Sequence, residues 1–439
     1  MTTYWAEHAL LPEGVAHNVR LTEFEGRWSA IEPGVQRGDG DVSLGGVVLP
    51  GFANCHSHAF HRALRGRTHG DGGTFWTWRE RMYAVSRRLT PENYRTLARA
   101  VFAEMVMAGM TSVGEFHYVH HRPGGAAYDD PNAMGEALRE AAREAGIRLT
   151  LLDTCYLHGG LTADGHAPLG DDQQRFSDGS AAAWVARHAL LADDETTRIG
   201  AAVHSVRAVA RDEIGEVLAA SDGQPVHAHL SEQPAENEAC EAFYGRSPVA
   251  LLDDAGALTS RFSAVHATHL SDDDIALLAA ANAVACFCPT TERDLADGIG
   301  PARALADAGV RVSLGSDQHA VVDTFEDARA LEMHERLVTN DRGRFSPEQL
   351  LDAATRHDTI GWPDAGRLEV GMRADAVAVR LDSRRTAGCL PEQVLLAATA
   401  EDVTDVVADG AHVVTAGRHR LGDVGALLTE AITTLWEDA

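Results

Sequence analysis

The sequence predicts an α/β protein: a (β/α)8 barrel of the TIM type, carrying a small β-sandwich made from both chain ends. Three observations predict it. Eight short apolar, β-branched runs alternate with stretches of helical periodicity over roughly residues 50–365. That number and order are those of a closed parallel barrel. An open doubly wound sheet is the alternative, but no Gly-x-Gly-x-x-Gly follows the first run. The third observation is that the two ends share a different texture, with short strand-like runs between glycine-rich turns.

The runs fall near 47–56, 111–119, 148–157 and 199–206, then near 225–230, 262–270, 283–288 and 310–316. Helical stretches lie between them, among them 91–108, 133–145 and 272–281. Gly109, Gly146 and Gly309 stand where a helix hands over to the next strand. Residues 1–49 and 366–439 are each too short in β-structure to bury a core alone, so they are expected to combine as antiparallel strands, with a terminal helix. Residues 50–365 then form the barrel. The chain shows no internal repeat and no low-complexity linker.

Composition narrows the function. With 439 residues, 45% hydrophobic and 23% charged, the chain is of ordinary globular make-up. No apolar run reaches the ~20 residues of a membrane helix, and no signal peptide opens the chain. The six cysteines are scattered, as suits reduced thiols in a cytoplasm. A net charge of −27 repels a phosphate backbone, which argues against a nucleic-acid partner. The chain contains no lysine. That excludes a Walker A lysine, a Schiff-base lysine and a carboxylated lysine bridging two metals.

Polar residues gather at the C-terminal ends of the expected strands, where barrel enzymes place their active sites. The first strand ends in His56-Ser57-His58, the fifth carries His227 and His229 with Glu232 three residues on, the sixth carries His266 and His269, and the eighth ends at Asp317. One His-x-His among 22 histidines is a weak signal. Histidines on separate strand ends together with a late Ser-Asp are a strong one, and they make a nitrogen/oxygen site for Zn²⁺ or Fe²⁺. Cys286 and Cys288 alternate on a strand without a second pair, so they read as core residues.

These residues resemble the amidohydrolase superfamily, in the deaminase branch that uses one metal and no bridging lysine. The strings HSHAFHRALRG, FWTWRERMY, EFHYVHH, HSVRAV, HLSEQPAE, VHATHL, CPTTERDLADGI and GSDQH resemble the formimidoylglutamate deiminase family in particular. The resemblance spans nearly the whole chain. It implies hydrolysis of N-formimino-L-glutamate to N-formyl-L-glutamate and ammonia, in histidine degradation, with one Zn²⁺ (or Fe²⁺) per subunit held by His56, His58, His229 and Asp317. It further implies that Asp317 accepts a proton from water, that Glu232 carries a proton to the amidine nitrogen, and that His266 stabilises the tetrahedral intermediate. Arg207, His204, Tyr118 and Arg79 are the implied substrate contacts, and arginine suits a carboxylate because it binds bidentately. His61 departs from the family, which often carries glutamine there, and joins the substrate-binding candidates. A homodimer is the expectation by family analogy. The rivals are a sister deaminase acting on a nucleobase, an adenosine derivative or a chlorotriazine, and an inactive scaffold on the same barrel. The glycine-rich stretch 65–74, the segment 120–132 and the polar loop 161–180 are the candidates to cover the barrel mouth.

Overall fold

A computed structural model describes residues 1–70 and 75–436 of the chain. Its centre is an eight-stranded parallel sheet in sequential order. The strands are Phe52–Ser57, Met110–His117, Arg148–Cys155, Thr197–Val203, Val226–Leu230, Phe262–His266, Val284–Phe287 and Arg311–Leu314. Most of their residues are buried, because helices cover the outer face and side chains fill the inside. A parallel bridge between Ser57 and Asp317 closes the ring. It is built from the His58 N–H donating to the Asp317 carbonyl (3.1 Å) and the Asp317 N–H donating to the His56 carbonyl (3.0 Å). The closing seam therefore lies on residues expected to bind metal.

The helices follow their local signals. Pro91–Met107 begins at Thr90 with a reciprocal capping box to Asn93. Ala133–Ala145 ends on Gly146 in the left-handed region, at φ 82°. Val424–Trp436 is the expected terminal helix, and the Trp436 indole donates to the Ala63 carbonyl (3.0 Å).

Both termini build a second eight-stranded sheet, whose inner face encloses its own apolar cluster around Tyr4, Trp28, Val48, Leu368 and Val407. One expectation needs correcting here. The segment 47–56 is two strands in two sheets: Val42–Leu49 belongs to the terminal sheet and Phe52–Ser57 to the barrel. The break falls at Pro50-Gly51, where a Cβ on Gly51 would collide with the Thr111 side chain. The terminal strands are also not all antiparallel, since Thr2–Leu11 pairs parallel to Val42–Leu49.

The two sheets are tied by a buried ionic joint. Arg148, at the start of the third barrel strand, bonds Asp375 and Asp409 of the terminal sheet region. Trp362 lies beneath the guanidinium groups of Arg198 (4.2 Å) and Arg373 (4.7 Å). No described helix is long and apolar enough to cross a membrane. Of the segments expected at the barrel mouth, 161–180 folds as a hairpin (Gly160–Thr162 with Gly165–Ala167) and a 3₁₀ turn, Asp171–Phe176. Part of 65–74, residues 71–74, lies outside the described residues.

Candidate active site

Three strand ends bring the expected ligands together, and a fourth sets His266 beside them. The first barrel strand leaves regular pleating, with a register irregularity between Asn54 and Ser57 that lets His56 and His58 point inward together. The fifth, sixth and eighth strands end in left-handed backbone: Ser231 (φ 50°), His266 (69°), Ala267 (50°) and Asp317 (42°). Each such residue costs about 1 kcal/mol or more, a strain that the surrounding barrel sustains.

His229 Nε2 lies 3.2 Å from His56 Nε2 and 3.3 Å from His58 Nε2. Asp317 Oδ1 lies 3.4 Å from the first ring and 3.3 Å from His58. A tetrahedral ion with ligands at about 2.0–2.1 Å sets its donors about 3.4 Å apart, and each of these four spacings suits a pair of donors to one ion. The tautomers agree. His58 Nδ1–H donates to the Phe116 carbonyl and His229 Nδ1–H to the His204 carbonyl, each at 2.9 Å. Both Nε2 atoms therefore present lone pairs to one another, an arrangement a cation relieves. Burial, and then the neighbouring imidazoles, keep these rings neutral and hold His58 down at about 3.

His266 stands beside this cluster with a different task. Burial opposes its charge, but Glu232, Glu292 and Asp317 outweigh burial and raise it well above the usual imidazole range. Its Nε2 is 3.9 Å from Glu232 and 3.8 Å from Asp317, and its Nδ1 is 3.5 Å from Glu292. Glu232 is 7% exposed and opens onto a cavity of about 340 Å³ that also reaches His58, His229 and Asp317.

The substrate-binding candidates line the same cavity. Arg207 is pinned, with Nη2 3.4 Å from Glu232 and Nε 3.5 Å from Glu236. The Tyr118 hydroxyl lies 2.9 Å from His61 Nε2, so those two side chains act as a pair. His204 sits between the cluster of expected ligands and the outer wall, its ring 4.9 Å from His229 and 4.5 Å from Tyr156. Arg79, from the helix Phe75–Ser86, donates to the Tyr83 hydroxyl at 2.6 Å.

Two other histidines of the motifs lie elsewhere. His227 faces away from the site toward the Thr359 carbonyl, as strand alternation requires, and His269 donates to the Asp297 carbonyl. Cys286 and Cys288 are buried core thiols.

The motifs alone did not single out several residues now seen at the site. Glu236 follows Glu232 by four residues, in the first turn of the helix Pro234–Tyr244, and that spacing of two carboxylates could have flagged it. Glu115 accepts from the Ser57 hydroxyl and the Ala59 N–H (2.6 Å each), fixing the loop that carries His58; burial pushes it up to about 8. Tyr156 and Phe176 carry no motif, and Tyr83 closes the string FWTWRERMY without having been singled out in it.

Residues 47–413 match the family model described as the amidohydrolase family, and the chain belongs to that family. Residues 1–43 match a second model, described as the N-terminal domain of formimidoylglutamate deiminase HutF. The chain is 39% identical to a formimidoylglutamate deiminase of Pseudomonas aeruginosa, over 95% of this chain and 96% of that one. It is 30% identical to a 5-methylthioadenosine/S-adenosylhomocysteine deaminase of Natronomonas pharaonis, over 89% and 88%. Among solved structures, an amidohydrolase from Brucella melitensis superposes with a TM-score of 0.90 at 34% identity, covering 99% of this chain and all of that one. An adenosine deaminase from Xanthomonas campestris with bound zinc gives 0.83 at 25%, covering 100% and 98%.

Proposed function

We propose that this protein hydrolyses N-formimino-L-glutamate to N-formyl-L-glutamate and ammonia, with one divalent metal, Zn²⁺ in the first instance, held by His56, His58, His229 and Asp317. The observation that carries this reading is the close donor set of His56, His58, His229 and Asp317 beside Glu232 and His266, in a chain 39% identical over its length to a formimidoylglutamate deiminase. The three nitrogens and one oxygen also suit Fe²⁺.

The net reaction adds water to the formimino carbon and breaks its bond to the terminal nitrogen. A bound divalent metal supplies Lewis acidity that makes water a nucleophile near neutral pH. Asp317 turns one oxygen to the donor set and the other toward His266, so it can receive a proton from attacking water. Glu232 reaches the same space, takes on that proton and delivers it to the amidine nitrogen as addition proceeds, then carries the hydroxyl proton, released as the formyl carbonyl forms, to the departing ammonia. His266, held cationic by its three carboxylate neighbours, donates toward the oxygen that gains negative charge. His204, Arg207, Tyr118, Arg79 and His61 orient the glutamate portion.

Ammonia release from N-formimino-L-glutamate by the purified protein tests the reading, with 5′-methylthioadenosine and guanine as comparison substrates. Turnover of the formimino compound alone supports it. Turnover of a purine derivative alone assigns the site to a sister deaminase, and metallated protein inert toward all three contradicts the activity.

A further inference from the structure

Resting on that reading, the cavity must hold two carboxylates in a chain of net charge −27. Arg207 is poorly placed to neutralise both, since Glu232 and Glu236 already flank it and Glu236 is 2% exposed. The opposite wall offers different chemistry. We propose that Tyr156, backed by Gln173 and joined by Tyr83, is a specificity-determining residue that presents its hydroxyl proton to the substrate's side-chain carboxylate beside Arg79.

The hydrogen-bond directions carry the argument. The Gln173 amide is fixed, because its Oε1 accepts from the Gly170 N–H (2.9 Å) and its Nε2 donates to the Gly159 carbonyl (3.2 Å). The same Nε2 donates to the Tyr156 oxygen at 2.7 Å. Arg79, which has only donors, lines the same cavity as the Tyr156 hydroxyl. With the amide donating to that oxygen, the phenol's own proton turns away from Gln173, toward the cavity that Tyr156 lines. Tyr83 repeats the pattern, accepting from Arg79 Nε at 2.6 Å. Two phenol protons and a guanidinium thus converge where a carboxylate oxygen is the complementary acceptor.

The location agrees. From the ligand His229 the wall steps outward through His204 (4.9 Å between rings) to Tyr156 (a further 4.5 Å). An extended glutamate side chain carries its terminal carboxyl carbon about 6 Å from the formimino carbon. Phe176, 5.5 Å from Tyr156, closes the far side, and Gln173 of the same 3₁₀ turn acts as a positioning residue. The site then reads a dicarboxylic amidine at its outer end and discriminates against the uncharged amide of the same shape.

The test compares N-formimino-L-glutamate with N-formimino-L-glutamine on the metallated enzyme. Tyr156→Phe is expected to lower kcat/KM on the glutamate compound about tenfold to hundredfold, mostly through KM. Its loss on the glutamine compound is expected to be at least fivefold smaller, and Gln173→Met is expected to move the same ratio in the same direction. Equal losses on both substrates, or no loss, overturn the proposal. Calorimetric binding of N-formyl-L-glutamate and N-formyl-L-glutamine separates this from the activity itself. Should the wild type bind the dicarboxylate but turn over neither substrate, the deiminase reading fails, while selective weakening by Tyr156→Phe still upholds the subsite. Equal weakening, or wild-type binding that ignores the carboxylate, removes it.

Discussion

Replacing Glu232 by glutamine removes proton transfer while leaving the proposed ligands and the shape of the site in place. The side chain keeps its volume, and its remaining oxygen still accepts from Arg207, now 3.4 Å away. What disappears is the ability to carry a proton and the negative charge 3.9 Å from His266. A positioned general acid–base contributes about 10²–10⁴ in rate, or about 3–5 kcal/mol of transition-state stabilisation. Glu232 is not one of the four proposed ligands, so metal content stays at the wild-type level. Uniform substrate binding is untouched, so KM moves only a few fold. Steady-state ammonia release, with metal counted on the same preparation, gives all three quantities. A kcat within tenfold of wild type, at equal metal content, would refute the proton-carrying role.

Other perturbations probe the frame. A Cβ on Gly315 would sit 2.8 Å from the His56 Cβ and 2.9 Å from its carbonyl oxygen, so Gly315→Ala must push the ligand strand outward. We expect about 1–3 kcal/mol of lost stability and weaker metal retention, read by denaturant unfolding and by dialysis against a chelator. Arg187 is buried between Asp153 (2.7 Å) and Asp178 (2.9 Å), and Arg187→Met leaves two uncompensated carboxylates at a cost of about 3–5 kcal/mol at pH 7. Burial raises both aspartates, but Arg187 with its histidine neighbours more than reverses this and holds them well below the usual carboxylate range. Their contribution is therefore full above about pH 4 and is lost as pH falls below it. Urea midpoints at pH 7 and pH 3 should show the wild type losing more stability over that interval than the variant.

Much of this architecture could be read from residue types. Strand runs and helix caps follow local periodicity, so the helix at 133–145 falls where its pattern places it, ending on Gly146. The convergence of the proposed ligands was legible because His56-x-His58, His229 and Asp317 sit at strand ends, where side chains of distant sequence meet. Local pattern failed where tertiary pairing decides. The run 47–56 is evenly apolar, and nothing in its periodicity tells that Pro50-Gly51 passes it from one sheet to another. Parallel pairing of Thr2–Leu11 with Val42–Leu49 is likewise set by the path between them. Tyr156, Gln173 and Glu236 escaped notice because their meaning lies in which hydrogen-bond partner each already has.

Metal titration of chelator-treated apoprotein, followed by ammonia release from N-formimino-L-glutamate, bears most directly on the proposed centre. Activity should rise linearly with added Zn²⁺ and level off at one equivalent per chain, and His229→Ala should abolish both binding and turnover. Full activity in metal-free protein, or a plateau only at two equivalents, would contradict a single ion held by His56, His58, His229 and Asp317.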